Sequence, residues 1–235
     1  MKKAKQSLWF GAVLLTAFIV WTILIQTVDV QPVGQDGTNI GFAAVNTWFH
    51  RLTGVHMAIY TVTDWLGLVP VFICMIFGGI GFAQLIKRKS LLKADPDILL
   101  LGIYYILVII GYLVFEMIPI NYRPVLIDGF LEASYPSSTT LLVLSVMPTL
   151  RFQTGRRIRH RGIRTAITVF SDLFSLFMVI GRTVAGVHWL TDIVGSVLLS
   201  AGLFMIYKGS VLTLDSRTND QSEEQLWNSA KNCRS

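Results

Sequence analysis

The chemistry concentrates in one stretch, Gly181-Arg182-Thr183-Val184-Ala185-Gly186-Val187-His188-Trp189-Leu190-Thr191-Asp192, where an arginine, a histidine and an aspartate hold a fixed register between two apolar segments. With a helix starting at His188, Asp192 falls one turn further along the same face. A carboxylate there can accept the proton of one imidazole nitrogen and leave the other nitrogen free to act. Arg182 adds a planar cationic fork suited to phosphate oxygens. Two further stretches fit the same chemistry. Asn121-Tyr122-Arg123-Pro124 brings a second arginine. Pro136-Ser137-Ser138-Thr139 reads as a helix start, where Ser137 or Ser138 caps and the first backbone N–H groups form a ready anion site.

The elements that carry these stretches are apolar. Of 235 residues 53% are hydrophobic and 14% charged, against about 25% charged in soluble domains, and the mean hydropathy is +0.58. The net charge of +6 comes from short loops beside apolar runs, an orientation signal rather than a nucleic-acid surface. Six runs are long enough to matter: 8–27, 65–86, 98–118, 138–150, 165–180 and 188–207. The first follows Met1-Lys2-Lys3-Ala4-Lys5 with no small-x-small cleavage site after it, so it reads as a retained helix. Between the first two runs, Phe42, Val45, Trp48, Phe49 and Leu52 predict an amphipathic helix at the interface. Trp65, Trp189 and Tyr207 read as interfacial anchors. Asp172, inside the fifth run, is costly in lipid and reads as packed on polar groups within the bundle or as functional. Cys74 and Cys233 offer no disulfide framework. The expected class is all-α, a six-helix transmembrane bundle over residues 1–208, with a polar cytoplasmic tail at 209–235.

Lysine and arginine give the orientation. Seventeen of the twenty lie at the N-terminus, between runs two and three, between runs four and five, or after run six. The exceptions are Arg51, Arg123 and Arg182, all in the alternate connections. A multi-pass protein of the cell membrane with both termini in the cytoplasm follows. Arg123, Ser137 and the Arg182–His188 stretch then share the extracytoplasmic face.

Together the three stretches resemble the signature of the type 2 phosphatidic acid phosphatase superfamily, the membrane relatives of vanadium haloperoxidases. That signature runs Lys-x6-Arg-Pro, Pro-Ser-Gly-His and Ser-Arg-x5-His-x3-Asp. Arg123-Pro124, Pro136-Ser137 and Arg182/His188/Asp192 match it in order and spacing. The resemblance implies that His188 is the nucleophile of a phosphohistidine intermediate and that Asp192 orients it. It implies that Arg123, Arg182, Ser137, Ser138 and nearby amides hold the phosphoryl oxygens, with no metal and no cofactor. The implied substrate is a lipid phosphate or pyrophosphate, of the undecaprenyl pyrophosphate or phosphatidic acid/phosphatidylglycerophosphate type. Membrane lipids are the only other partners expected.

Two positions depart from the pattern: Glu116 stands where the family has lysine, and Thr139 where it has histidine. Gly181 replaces a serine, a milder change. Loss of a general acid costs roughly 10²–10⁴-fold, less when the leaving group is a phosphate than when it is an alkoxide. A pyrophosphate therefore suits the site better than a monoester. Alternatively, His50 or His56 in the first outer loop supplies the acid, although both read more simply as interfacial polar residues. The rival reading is a catalytically impaired relative that binds lipid phosphate headgroups.

Overall fold

A computed structural model describes residues 1–90 and 94–232; Lys93, which closes the second run, and Cys233 lie outside the described residues. The described residues form helices α1 (Lys2–Thr27), α2 (Ala43–Thr53), α3 (Met57–Leu66), α4 (Leu68–Arg88), α5 (Pro96–Met117), α6 (Ser138–Arg157), α7 (Arg161–Val184) and α8 (Leu190–Asn232), with a short 3-10 turn at Gln35–Gly37. The expected interfacial helix is α2. The second apolar run begins earlier than expected, as α3, and a break at Gly67 separates it from α4. Proline in the first turn of α5 suits a helix start, where its missing N–H is no loss.

Among the described residues, five segments are long and apolar enough to cross a membrane: Lys2–Thr27, Met57–Arg88, Pro96–Met117, Arg161–Val184 and Leu190–Thr218. Their outward faces keep large apolar side chains exposed, Phe72, Phe82 and Leu173 among them, a surface that calls for lipid. The remaining long helix, α6, is not apolar enough to qualify. The reason is its place in the bundle. It packs against α4, α5, α7 and α8, and Thr140, Ser145, Thr149 and Gln153 are buried between helices. Tyr104 donates to the Ser145 carbonyl, Tyr105 pairs with Thr149, and Gln153 donates to Tyr207. A helix surrounded by helices satisfies polar groups internally, so its sequence need not be greasy.

Three expectations change. Trp189 and Tyr207 are buried, bonded to the Tyr122 carbonyl and to Gln153, so neither is an interfacial anchor. Trp65 does stay exposed. The polar tail expected from residue 209 is, as far as Asn232, a continuation of helix α8. Val211 is buried and Gly209 lies against Leu8, so α1 supports α8 well past the expected boundary. Asp172 pairs with Arg151 of α6 at 3.0 Å, both more than half exposed, on the outside of the bundle rather than inside it.

Between α5 and α6 the chain makes a small hairpin over the end of the bundle. Ile127 and Phe130 exchange backbone bonds around Asp128-Gly129, both with positive φ, at 49° and 83°. That conformation belongs to the two-residue Asp-Gly turn, in which glycine carries no steric cost. The arms then pair Tyr122 with Ala133. Ser134 donates its N–H to Asn121, and Arg123 donates its N–H to Glu132. Asn121, Arg123, Glu132 and Ser134 are thereby set side by side above the α7–α8 junction.

Candidate active site

His188 sits in the five-residue link between α7 and α8 and is 4% exposed. Its surroundings fix its tautomer. Nδ1 lies 3.1 Å from the Ser134 carbonyl oxygen, which can only accept, so Nδ1 carries the hydrogen. Nε2 lies 3.3 Å from Arg182 Nη2, which can only donate, so Nε2 keeps its lone pair. Two independent contacts thus present the same reactive nitrogen. Asp192 is fully buried in the first turn of α8. It accepts from the Trp189 N–H at 2.9 Å, from Asn121 Nδ2 at 3.1 Å and from Ser134 Oγ at 2.5 Å. Its carboxylate is 4.0 Å from His188 Nδ1, beyond hydrogen-bond length, and Ser134 Oγ, 3.0 Å from Nδ1, stands between them.

Arg182 faces the free nitrogen, and Arg123 lines the same cavity as His188. Arg182 is 1% exposed. Its Nη1 reaches Thr63 Oγ1 at 3.5 Å and Asp64 Oδ1 at 3.6 Å, while Nε has no partner. Arg123 pairs with Glu132 at 3.1 Å, and its buried Nε and Nη1 have no partner. Both guanidiniums lie over the Tyr60 ring of α3, at 4.9 and 5.8 Å, close enough for cation–π attraction. Unsatisfied buried N–H groups are costly, and the two guanidiniums hold three such nitrogens, Nε and Nη1 of Arg123 and Nε of Arg182. Gly181 has a role in this: a Cβ there would stand 2.7 Å from Thr63 Cγ2. A side chain larger than hydrogen at 181 would therefore require Thr63, a partner of Arg182, to shift.

A cavity of about 240 Å³ opens on the site, lined by His188, Arg123, Glu132, Ser134, Ser138, Glu116 and Tyr112 among others. An apolar cavity of about 460 Å³ adjoins it between α4, α5 and α6, sharing Tyr112 and Ser138 and lined further by Val71, Ile109, Leu113 and Leu142. The structure brings together Arg123, Ser138, Arg182, His188, Asp192 and Glu116. Ser137 stands at the N-cap position of α6 without a side-chain capping bond; it is fully buried, its hydroxyl donating to Thr140 Oγ1. Thr139 lines the apolar cavity. His50, half-buried, packs on Trp189 at 5.5 Å, and His56, exposed, bonds the Thr53 carbonyl at 2.8 Å. Neither lines the polar cavity. Sequence reasoning missed Ser134, Asn121, Glu132 and Tyr60.

Burial holds the His188 imidazole well below its usual range, the Arg123 and Arg182 cations push the same way, and the bond to the Ser134 carbonyl opposes them. The neutral form is therefore the one the fold keeps. Its contribution to stability is intact above the unfolded value of about 6.5 and is lost as pH falls below that toward the folded value. An NMR titration of labelled histidine should show one imidazole, absent in His188→Asn, with no transition near pH 6.5. A His188 resonance titrating at about 6.5 or above would contradict this.

Residues 114–214, which span the hairpin, α6, α7 and the first half of α8, match the family model described as the PAP2 superfamily. The matched residues include Asn121, Arg123, Ser134, Arg182, His188 and Asp192, while Tyr60, Thr63 and Asp64 of α3 lie outside them. The chain is similar, at 18% identity and a TM-score of 0.61, to the crystal structure of the first transmembrane PAP2 type phosphatidylglycerolphosphate phosphatase from Bacillus subtilis. The likeness covers 86% of this chain and 96% of that one. A search of curated proteins finds no significant match.

Proposed function

We propose that the protein is an integral membrane hydrolase that removes phosphate from a lipid phosphate or pyrophosphate through a phosphohistidine. The PAP2-superfamily region and the fold of a membrane phosphatase support a lipid phosphatase. The observation that carries the reading is the imidazole of fixed tautomer, its Nε2 facing buried guanidiniums with unpartnered N–H groups. Nε2 attacks phosphorus, the N–P bond forms as the bond to the leaving oxygen breaks, and water then cleaves the N–P bond and frees the imidazole. Arg123 and Arg182 stabilise charge on the equatorial oxygens, where phosphoryl transfer needs it. The adjoining apolar cavity suits the lipid chain. The α6 start at Ser138 has first-turn amides without intrahelical acceptors, available to the same oxygens.

In this reading all six long helices span the bilayer, both termini are cytoplasmic and the site is extracytoplasmic, as the arginine and lysine distribution supports. With Thr139 in place of a histidine acid, a pyrophosphate such as undecaprenyl pyrophosphate is the better substrate. Its leaving phosphate needs a proton far less than an alkoxide does. Glu116 and Thr139 favour the second reading, a relative that binds headgroups with little turnover.

Phosphate release from purified protein, measured on a panel of lipid phosphates and pyrophosphates, separates these readings. Faster release from the pyrophosphates supports the first in full. Equal or reversed rates discard the pyrophosphate preference, and binding without release on any substrate favours the second.

A further inference from the structure

We propose that Asp192 acts on His188 through Ser134, whose hydroxyl is a hydrogen-bond relay set between carboxylate and imidazole. This rests on His188 being the nucleophile. The direct carboxylate–imidazole distance is 4.0 Å, too long for a hydrogen bond. Ser134 Oγ fills the gap, 2.5 Å from Asp192 Oδ2 and 3.0 Å from His188 Nδ1. An ionised carboxylate only accepts, so the Ser134 proton points to Asp192, at the short length of a charge-assisted O–H···O⁻ bond. That leaves the Oγ lone pairs facing Nδ1–H, which they share with the Ser134 carbonyl at 3.1 Å. The carboxylate cannot swing across to take the imidazole directly. Asn121 holds one of its oxygens and the Trp189 N–H the other.

As Nε2 bonds to phosphorus, the ring gains positive charge and Nδ1–H becomes a stronger donor. A hydroxyl already polarised by a carboxylate meets that charge better than a backbone carbonyl alone. Ser134 is thus a positioning residue, buried at 2% exposure on the hairpin arm. The other charged groups around His188 are Arg182 from α7, Arg123 and Glu132 from the hairpin, and Glu116 from α5. None of them is removed by changing Ser134.

Ser134→Ala should lower kcat about 10- to 100-fold, the scale on which partners of an active histidine act, with KM unchanged. Without the relay the imidazolium loses its indirect anionic support, so the acid limb of kcat/KM should move to lower pH. A wild-type kcat, or a lower kcat with an unmoved acid limb, overturns the relay. If melting shows Ser134→Ala to be unfolded, Ser134→Thr and Ser134→Val decide, since they match in bulk and differ in the hydroxyl. Thr at least 10-fold faster than Val supports the relay, and equal rates overturn it. Activity surviving in His188→Ala sinks the nucleophile reading and the relay with it. Activity lost in His188→Ala but unmoved in Ser134→Ala sinks the relay alone.

Discussion

His188→Ala should lose phosphate release by at least about 10⁴-fold, the scale seen when a covalent nucleophile is removed, while the protein still folds. Ser134, Ser138, Glu116 and Glu132 also line the cavity, but the Ser134 hydroxyl is committed to Asp192 and Glu132 to Arg123, and among these groups His188 is the one that turns a nitrogen lone pair toward Arg182. Stability should survive because the imidazole is neutral in the fold and its removal strands no charge. A pulse with radiolabelled substrate should trap a base-stable, acid-labile phosphoprotein in the parent and none in His188→Ala. Residual turnover within tenfold of the parent, or an unchanged phosphoprotein yield, would remove the phosphohistidine from the mechanism.

Arg182→Lys should cost about 10²- to 10³-fold in kcat, comparable to deleting a transition-state donor, despite conserving charge. The guanidinium does four things that an ammonium on a flexible stem cannot do together. It faces Nε2 with Nη2, holds Thr63 and Asp64 with Nη1, stacks over Tyr60, and has a buried Nε without a partner. Lysine offers a compact point charge with no planar fork. Headgroup binding, read as inhibition by inorganic phosphate, should weaken less than kcat, because charge survives while geometry does not. Equal losses in binding and turnover would mean that Arg182 serves the ground state alone.

The arrangement of the site was partly legible because its residues are near in sequence. Arg182, His188 and Asp192 lie within about ten residues of one another, and although α8 starts at Leu190 and not at His188 as expected, the short link before it keeps the imidazole 4.0 Å from the Asp192 carboxylate. The direct histidine–aspartate bond expected from that spacing is absent because Ser134, remote in sequence, occupies the gap. A signal for Ser134 was present. Asp128-Gly129 is the dipeptide of a tight hairpin, and closing that hairpin places residues 132–134 against 121–123. Tyr60 and Asp64 had no such marker, since only the packing of α3 on α7 at Gly181 brings them to Arg182. Helix α6 shows the limit of hydropathy. Its polar residues face other helices, so transfer scales undervalue it.

The apolar cavity meets the polar one at Tyr112 and Ser138, and its outer wall includes Val71, Ile109 and Leu113, which remain exposed on the flank of the bundle. A molecule entering this way arrives sideways from the bilayer, with its head already at the depth of His188. Turnover then follows the mole fraction of substrate within the membrane plane, not its amount per litre. Diluting the same vesicles in buffer should leave the rate per enzyme unchanged, and diluting the substrate with inert lipid should lower it.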